Sequence, residues 1–358
     1  MRSNLIHKCN FCRSGVFELF VIAAVLFSAE SALAETSAAV IKRLKPPEMG
    51  FYAKEIDYQG IPIKAPIVVA DQALIEAWRK LSMMLAHLPD AVSNLREHGA
   101  ELHIIGKGQG TSDLPEHRAE KGKLFDRNLT MDERTRGVGG VFASCGEENL
   151  LRLSNDRYNG RDICVHEFAH TLQELGLDES LQKRIKVRYD KAIDSGLWKT
   201  TYAATNDGEF FAELSMWYFG THGDEGDIKP PPKPGKDWLR QYDPDSYALL
   251  DDIYSGRVHI DKLHFGELRA FPPTLEGHMY SGTQPGKTAV LFINKSGQDL
   301  SAYWLDYNGA RHFYSAIPAY SRVLQPTYVS HVWLVTHKNG QGVAIFQATP
   351  EPAKAIVP

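Results

Sequence analysis

Cysteine is scarce in this chain. There are four in 358 residues, and two of them, Cys9 and Cys12, fall in an N-terminal stretch that reads as a leader. Their C-x-x-C spacing is therefore given no metal or redox role. The remainder keeps only Cys145 and Cys164, which rules out a framework of several disulfides. In an exported chain one even pair predicts one bridge, Cys145 to Cys164. Basic runs are missing as well. Beyond residue 34 the chain holds 37 Lys and Arg against 42 Asp and Glu. That mildly acidic balance argues against nucleic acid as a partner.

Membrane-length apolar runs are the third absence. "VFELFVIAAVLF" (16–27) is too short to span a bilayer, and Glu18 interrupts it. It follows Arg2, Lys8 and Arg13, and "SALA" then places Ala32 and Ala34 in the A-x-A positions. That is the pattern of a secretory signal cleaved after Ala34. The expectation is a secreted protein, extracellular or periplasmic, that is not membrane-embedded after cleavage.

Residues 35–65, with "KPPE" at 45–48, read as a tether. From Asp71 apolar residues recur at three and four spacing (Leu74, Ile75, Trp78, Leu81, Met84, Leu85), which predicts a helix. A short helix follows Pro89, and "ELHIIG" (101–106) reads as a buried strand. "GKGQG" (106–110) is a loop and not a dinucleotide fingerprint, since no helix follows it. "GVGGVFASC" (137–145) reads as an extended edge segment, its glycines admitting a second backbone at close range. Further helices are expected at 161–175, 178–194, from Asn206 to Phe219, and from Asp243-Pro244 to just before Gly256. After about residue 272 the period changes to that of strands. Six short ones in about 70 residues predict a small β-sandwich.

What is present is "CVHEFAHTLQELG" (164–176). Residues four apart share a helix face, so His166 and His170 can aim two imidazoles at one ion. Glu167 lies at the edge of that face, within reach of a water on the metal. A third ligand is needed. The HExxHxxGxxH pattern does not supply it, because Gln173 stands at its glycine and Gly176 at its last histidine. Glu209 and Glu213 are one turn apart on a second helix, "YAATNDGEFFAELSMWYF" (202–219). One can ligate zinc, and the other can accept a hydrogen bond from a ligand histidine. Asp207 and His222 are rival third ligands.

Together "HEFAH" and "YAATNDGEFFAE" resemble the catalytic domain of anthrax lethal factor and its secreted relatives, in which a tyrosine precedes the ligand glutamate by seven residues. Tyr202 and Glu209 have that spacing. The resemblance implies one Zn2+ held by His166, His170 and Glu209, with Glu167 as general base and Tyr202 as donor to the oxyanion. Glu213 is left for the outer position behind the ligands. The implied unit is an α+β zincin-like, gluzincin-type metallopeptidase domain over residues 66–268, a zinc metalloendopeptidase acting on protein or peptide substrates. The toxin's large upstream domains have no counterpart here.

In the β region "YWLDYNG" and "SHVWLV" are similar to strands of the von Hippel–Lindau β domain. The resemblance places a sandwich domain at 275–350 with a peptide pocket of Trp304, Tyr314, Thr327, His331 and Trp333. Thr327 stands where that family has serine. It keeps the hydroxyl and adds a methyl group. The implied ligand is a proline- or hydroxyproline-rich peptide. The alternative function is a secreted peptide-binding or adhesion protein with a vestigial metallopeptidase fold. Intact Glu167 and Tyr202 favour the enzyme.

Overall fold

The protein is described by a computed structural model covering residues 40–126 and 128–357. The expected leader, residues 1–34, lies outside the described residues. The fold is mixed α/β with several sheets. The first sheet has six strands in the order β1-β2-β3-β4-β8-β7, namely Lys42–Glu48, Tyr52–Tyr58, Ile61–Pro66, Glu101–Ile105, Phe142–Gly146 and the edge strand Gly137–Val138. β3, β4 and β8 run parallel, while β1, β2 and β7 pair antiparallel.

The expected tether is therefore corrected. Residues 42–66 are three strands of the main sheet. Their alternation is regular in β2, where Tyr52, Ile56 and Tyr58 are buried. In β1 it is masked, because that strand is almost wholly exposed. The helix from Asp71 to Leu85 buries Leu74, Ala77, Leu81 and Leu85 as its period predicts. The helices at Pro89–His98, Glu179–Asp194, Asp207–Tyr218 and Pro244–Tyr254 form where expected. Among the described residues no helix is long and apolar enough to cross a membrane.

The C-terminal region has two four-stranded sheets, β13-β10-β16-β9 and β12-β11-β14-β15. The strands are β9 (Gly266–Glu267), β10 (Lys287–Asn294), β11 (Leu300–Leu305), β12 (Arg311–Ile317), β13 (Arg322–Tyr328), β14 (Val332–His337), β15 (Gly342–Gln347) and β16 (Ala353–Val357). One core joins both sheets, including Phe292 of β10, Ala302 of β11, Trp333 of β14, Phe346 of β15 and Ala355 of β16. β16 lies between β10 and β9, so a segment ending at residue 350 would lack an interior strand.

Residues 41–358 pack as one compact unit. A buried charge cluster lies on the contact between the first sheet and β13. His103 of β4 is fully buried between Glu101 Oε2 (3.1 Å) and Glu116 Oε1 (2.5 Å). Tyr52 donates to Glu116 Oε2 at 2.8 Å. Lys64 reaches Glu101 at 2.6 Å and Glu48 at 2.8 Å. From β13, Arg322 lies 3.7 Å from Glu101 and 4.9 Å from the Phe142 ring centroid. Lys354 of β16 adds an ion pair with Glu97 at 2.7 Å.

Burial alone would strip His103 of its proton, but Glu116 and Glu101 outweigh it and raise its pKa to about 9. The same pairing lowers Glu101 to about 2 against its own burial. The two shifts describe one interaction and are not added. Because the folded pKa lies above the unfolded value of about 6.5, the stabilisation is complete below pH ~6.5 and is lost as pH rises through about 9. The expected size is on the order of 3 kcal/mol at most. Urea midpoints at pH 6 and pH 9.5 check this. The gap between the natural protein and His103→Gln should narrow at the higher pH, and a constant gap would count against a charged His103.

Candidate metal centre

Two capped helices meet at right positions to bring the motif residues together. The first is Ile163–Thr171, whose N-cap Asp162 accepts from Val165 N at 3.2 Å. It buries Ile163, Cys164, Val165, Phe168 and Ala169. It ends in a π turn at Leu172–Gly176, where a continuous helix to 175 was expected. The second is Asp207–Tyr218. Its cap, Asn206 Oδ1, accepts from the backbone N–H of Glu209 at 2.8 Å, so the cap fixes the first turn that carries this carboxylate.

His166 Nε2 and His170 Nε2 stand 3.3 Å apart. Glu209 Oε2 is 3.2 Å from the first and 3.4 Å from the second. Tetrahedral zinc ligands about 2.0–2.1 Å from the ion are separated by about 3.3 Å, so this triangle fits such an ion. Glu209 Oε2 is also buried without an aligned hydrogen-bond partner, as expected of an atom facing an ion. Glu167 brings an oxygen within 4.8 Å of both histidines, yet Glu209 is the nearer carboxylate. On the far side of His166, Nδ1 lies 3.3 Å from Glu213 Oε1. The other Glu213 oxygen accepts from Asp224 N, and Asp224 Oδ2 accepts from Tyr202 N at 2.8 Å. Tyr202 OH donates to Glu209 Oε1 at 3.2 Å. The rivals are elsewhere: Asp207 accepts from Gln173, and His222 is tied to the carbonyls of Gly223 and Asn159.

Burial opposes charge on His166, but Glu209 and Glu213 outweigh it and raise its pKa to about 10. Burial would raise the Glu209 carboxyl, yet the two histidines hold it well below the usual carboxylate range. Glu167 is shifted up, chiefly by burial and further by the charges of Glu209 and Glu213. Burial and Glu209 also raise the Tyr202 phenol.

The site opens into a cleft of ≈ 940 Å³ whose wall includes Arg134, Gly137, Tyr158, Arg161 and Glu174. The glycines of the edge segment leave room for side chains of the helix Ile163–Thr171. A Cβ on Gly137 would stand 2.8 Å from Glu167 Cγ, and one on Gly139 2.7 Å from His170 Cβ. Arg134 was invisible to sequence reasoning. It donates to Tyr202 OH at 3.3 Å from 68 residues away and is held by Asp126 at 3.0 Å. No motif or periodicity marks it. Asp224 lay equally hidden in a polar loop.

The expected Cys145–Cys164 bridge is absent from the structure. Both residues are free, fully buried thiols. They sit where β8 packs on the metal helix, and burial, reinforced by Cys164, pushes the Cys145 thiol upward.

The five expected pocket residues of the β region come together. Trp333 Nε1 donates to Thr327 Oγ1 at 3.2 Å, and Thr327 Oγ1 lies 3.1 Å from His331 Nδ1. Trp304 stands 5.2 Å from His331 and 6.4 Å from Tyr314, ring to ring, and Tyr314 meets Trp333 edge-on at 5.1 Å. Trp304 Nε1 is buried without a partner. Exposed Tyr307 and Tyr328 flank the group. Thr327 and His331 thus already satisfy one another.

No family model and no curated protein matches the chain. Among solved structures, the Pro-Pro endopeptidase PPEP-2 from Paenibacillus alvei is similar in part. The match has 18% identity and a TM-score of 0.39, and it spans 54% of this chain and 97% of that one. A likeness of that size carries no weight for function.

Because the facing nitrogen of His166 must be free of its proton to hold a metal, loading should release a proton. With the folded pKa at about 10, apparent metal affinity should rise about tenfold per pH unit from neutral pH toward that value. Competition with a chromophoric chelator between pH 6.5 and 8.5 measures it. A flat profile would mean that His166 is neutral already or is not a ligand.

Proposed function

We propose that the chain is a secreted zinc endopeptidase. The observation that carries this reading is the triangle of His166 Nε2, His170 Nε2 and Glu209 Oε2, with edges of 3.2–3.4 Å and Glu167 beside it in an open cleft. Two imidazoles and one carboxylate are a donor set suited to Zn2+, and the cleft leaves a side open for water. His166, His170 and Glu209 would hold the ion. Glu213 orients His166 from behind through Nδ1. A bound zinc ion supplies Lewis acidity, which acidifies water and polarises a peptide carbonyl.

This chain's residues supply the rest. Glu167, its carboxyl raised by burial, takes a proton from the attacking water and passes it to the leaving amine. Tyr202 OH donates to the developing oxyanion. Arg134 holds the phenol oxygen from the other side. The free edge of β7 can take the substrate backbone as an added strand. In this reading the fold is zincin-like, followed by a β-sandwich similar to the von Hippel–Lindau β domain. The aromatic group around His331 holds a proline- or hydroxyproline-rich segment. The placement of Glu167 and Tyr202 at the cleft supports catalysis over the alternative, a binding protein with a vestigial fold.

Glu167→Gln should keep the metal and lower hydrolysis of an unstructured protein by about 10²–10⁴-fold, since an amide cannot act as base. Glu209→Ala should lose the metal, because two histidines alone bind weakly. Metal content and turnover are read on the same preparations. Normal turnover in metal-loaded Glu167→Gln would remove that residue from the mechanism. Metal loss in Glu213→Ala but not in Glu209→Ala would exchange their roles.

For the β region, full-length Glu167→Gln protein should bind a hydroxyproline peptide about twofold to tenfold more tightly than its proline counterpart. That range corresponds to one net hydrogen bond of about 0.5–1.5 kcal/mol. His331→Ala should erase the preference and spare most of the proline binding. Equal affinities in calorimetry would reject hydroxyl recognition.

A further inference from the structure

The segment between the helix Glu147–Leu150 and the metal helix carries several arginines, and most are answered. Arg136, just before the edge strand β7, pairs with Glu148, and Arg152 reaches Asp162. Arg157 donates to the carbonyl of Glu133. Arg161 is different. It is half-buried and lines the cleft. Among the described residues no carboxylate lies within ion-pair distance of it and its side chain makes no hydrogen bond. Its guanidinium lies 5.6 Å from the ring centroid of Tyr158.

The backbone beneath it is firmly held. Arg161 O accepts from Asn149 Nδ2 at 2.8 Å and from Arg152 Nη1 at 3.0 Å, and its N–H donates to Tyr158 O at 3.1 Å. Tyr158 OH accepts from Arg136 N at 2.9 Å, which fixes the ring the guanidinium lies against. The rest of the cleft is rich in carboxylates, with Glu167, Glu174, Glu209, Glu213 and Asp224 on its wall. Among the described residues the other arginine on its wall, Arg134, is paired with Asp126. Away from His166 and His170 a peptide carboxylate entering this cleft meets mainly like charge, and at Arg161 it finds a guanidinium fork with no hydrogen-bond partner among the described residues.

We propose that Arg161 is a specificity-determining residue that reads a carboxylate on the bound peptide. The inference rests on the peptidase reading above. Arg161 lies just before the helix that carries His166 and lines the same cleft, so the carboxylate read lies to one side of the cleaved bond. It is an Asp or Glu side chain, or the free terminus of the peptide itself.

The test uses the full metal-loaded chain and a set of peptides that vary one position at a time, on both sides of the cleaved bond. Each position carries Glu, Gln or Lys, and a second set compares a free with an amidated C-terminus. We expect kcat/KM to favour Glu over Gln about tenfold at a single position, or the free over the amidated terminus, which identifies the source of the carboxylate. Arg161→Gln should level that preference, and Arg161→Glu should invert it toward Lys, with metal content unchanged in both. Cleavage without an acid preference, or with one that survives Arg161→Gln, overturns the proposal while the peptidase stands. If the natural protein cleaves none of the peptides, the peptidase reading fails. Calorimetry of the same peptides on Glu167→Gln protein then decides for Arg161. Tighter binding of the acidic peptides that Arg161→Gln abolishes supports it, and equal binding overturns it.

Discussion

Placing a fully buried Glu213 and a half-buried Glu209 one turn apart on a largely apolar helix is the constraint around which the candidate metal site is arranged. A carboxylate removed from water is tolerable only with partners. Each is answered by a different set. Glu209 faces His166, His170 and Tyr202, while Glu213 faces the back of His166 and the backbone of Asp224. Asp224 then returns to the backbone of Tyr202. Two helices, a short turn and a polar loop are thus tied to one pair of charges. The edge strand can close over them only because Gly137 and Gly139 have no side chain to meet Glu167 and His170. Rigid elements, rather than mobile loops, set the positions of the groups that would do chemistry.

A second set of buried charges performs a different task. Glu101, His103, Glu116, Lys64 and Arg322 lie where the first sheet meets β13. Acidic and basic groups alternate there, so no single ion is buried alone. Removing one member would leave a neighbour uncompensated, which is costlier than never having buried the group. Gly99 contributes by absence. It adopts a left-handed φ of +66°, and a Cβ there would stand 2.7 Å from the Arg322 guanidinium. The contact between the helical part and the C-terminal sheets thus combines this polar geometry with an apolar cluster in which Phe265 packs on Leu291 and Ile293 and meets His98 edge-on.

The cluster of His166, Glu167 and His170, a group that could hold a metal ion, was legible because its spacing is local. His166 and His170 share a face by helical period alone, and the Asn206 cap marks where the second helix begins. The choice between Glu209 and Glu213 was not legible from spacing, since both lie on one face. The crossing of two helices far apart in sequence sets Glu209 against the Nε2 atoms of both histidines and Glu213 against Nδ1 of His166. The tether expected at 35–65 hid three strands, because β1 has no buried face and carries two prolines. β16 was missed because it follows a proline-containing stretch and its pairing is parallel to a strand some sixty residues earlier, so no hairpin signal announces it. Arg134, Asp224 and Arg161 could not be found at all. Each acts through a neighbour distant in sequence, and a lone charged residue in a polar loop has no pattern.

The two candidate sites are mechanically connected. Thr327, at the base of the aromatic pocket, lies on β13, five residues from Arg322. Arg322 packs on Phe142, the first residue of β8. β8 is the strand to which the cleft's edge strand β7 is hydrogen-bonded. One continuous path of strand, cation–ring contact and strand pairing therefore runs from the pocket to the cleft. Flexibly joined modules gain only an effective concentration from being linked. Parts joined through a buried ion cluster also keep direction and register. On the proposed reading, a peptide engaged at both sites would be presented to the candidate metal centre at a fixed offset, and the spacing between its ring-bearing residue and its cleaved bond would be a property of the fold.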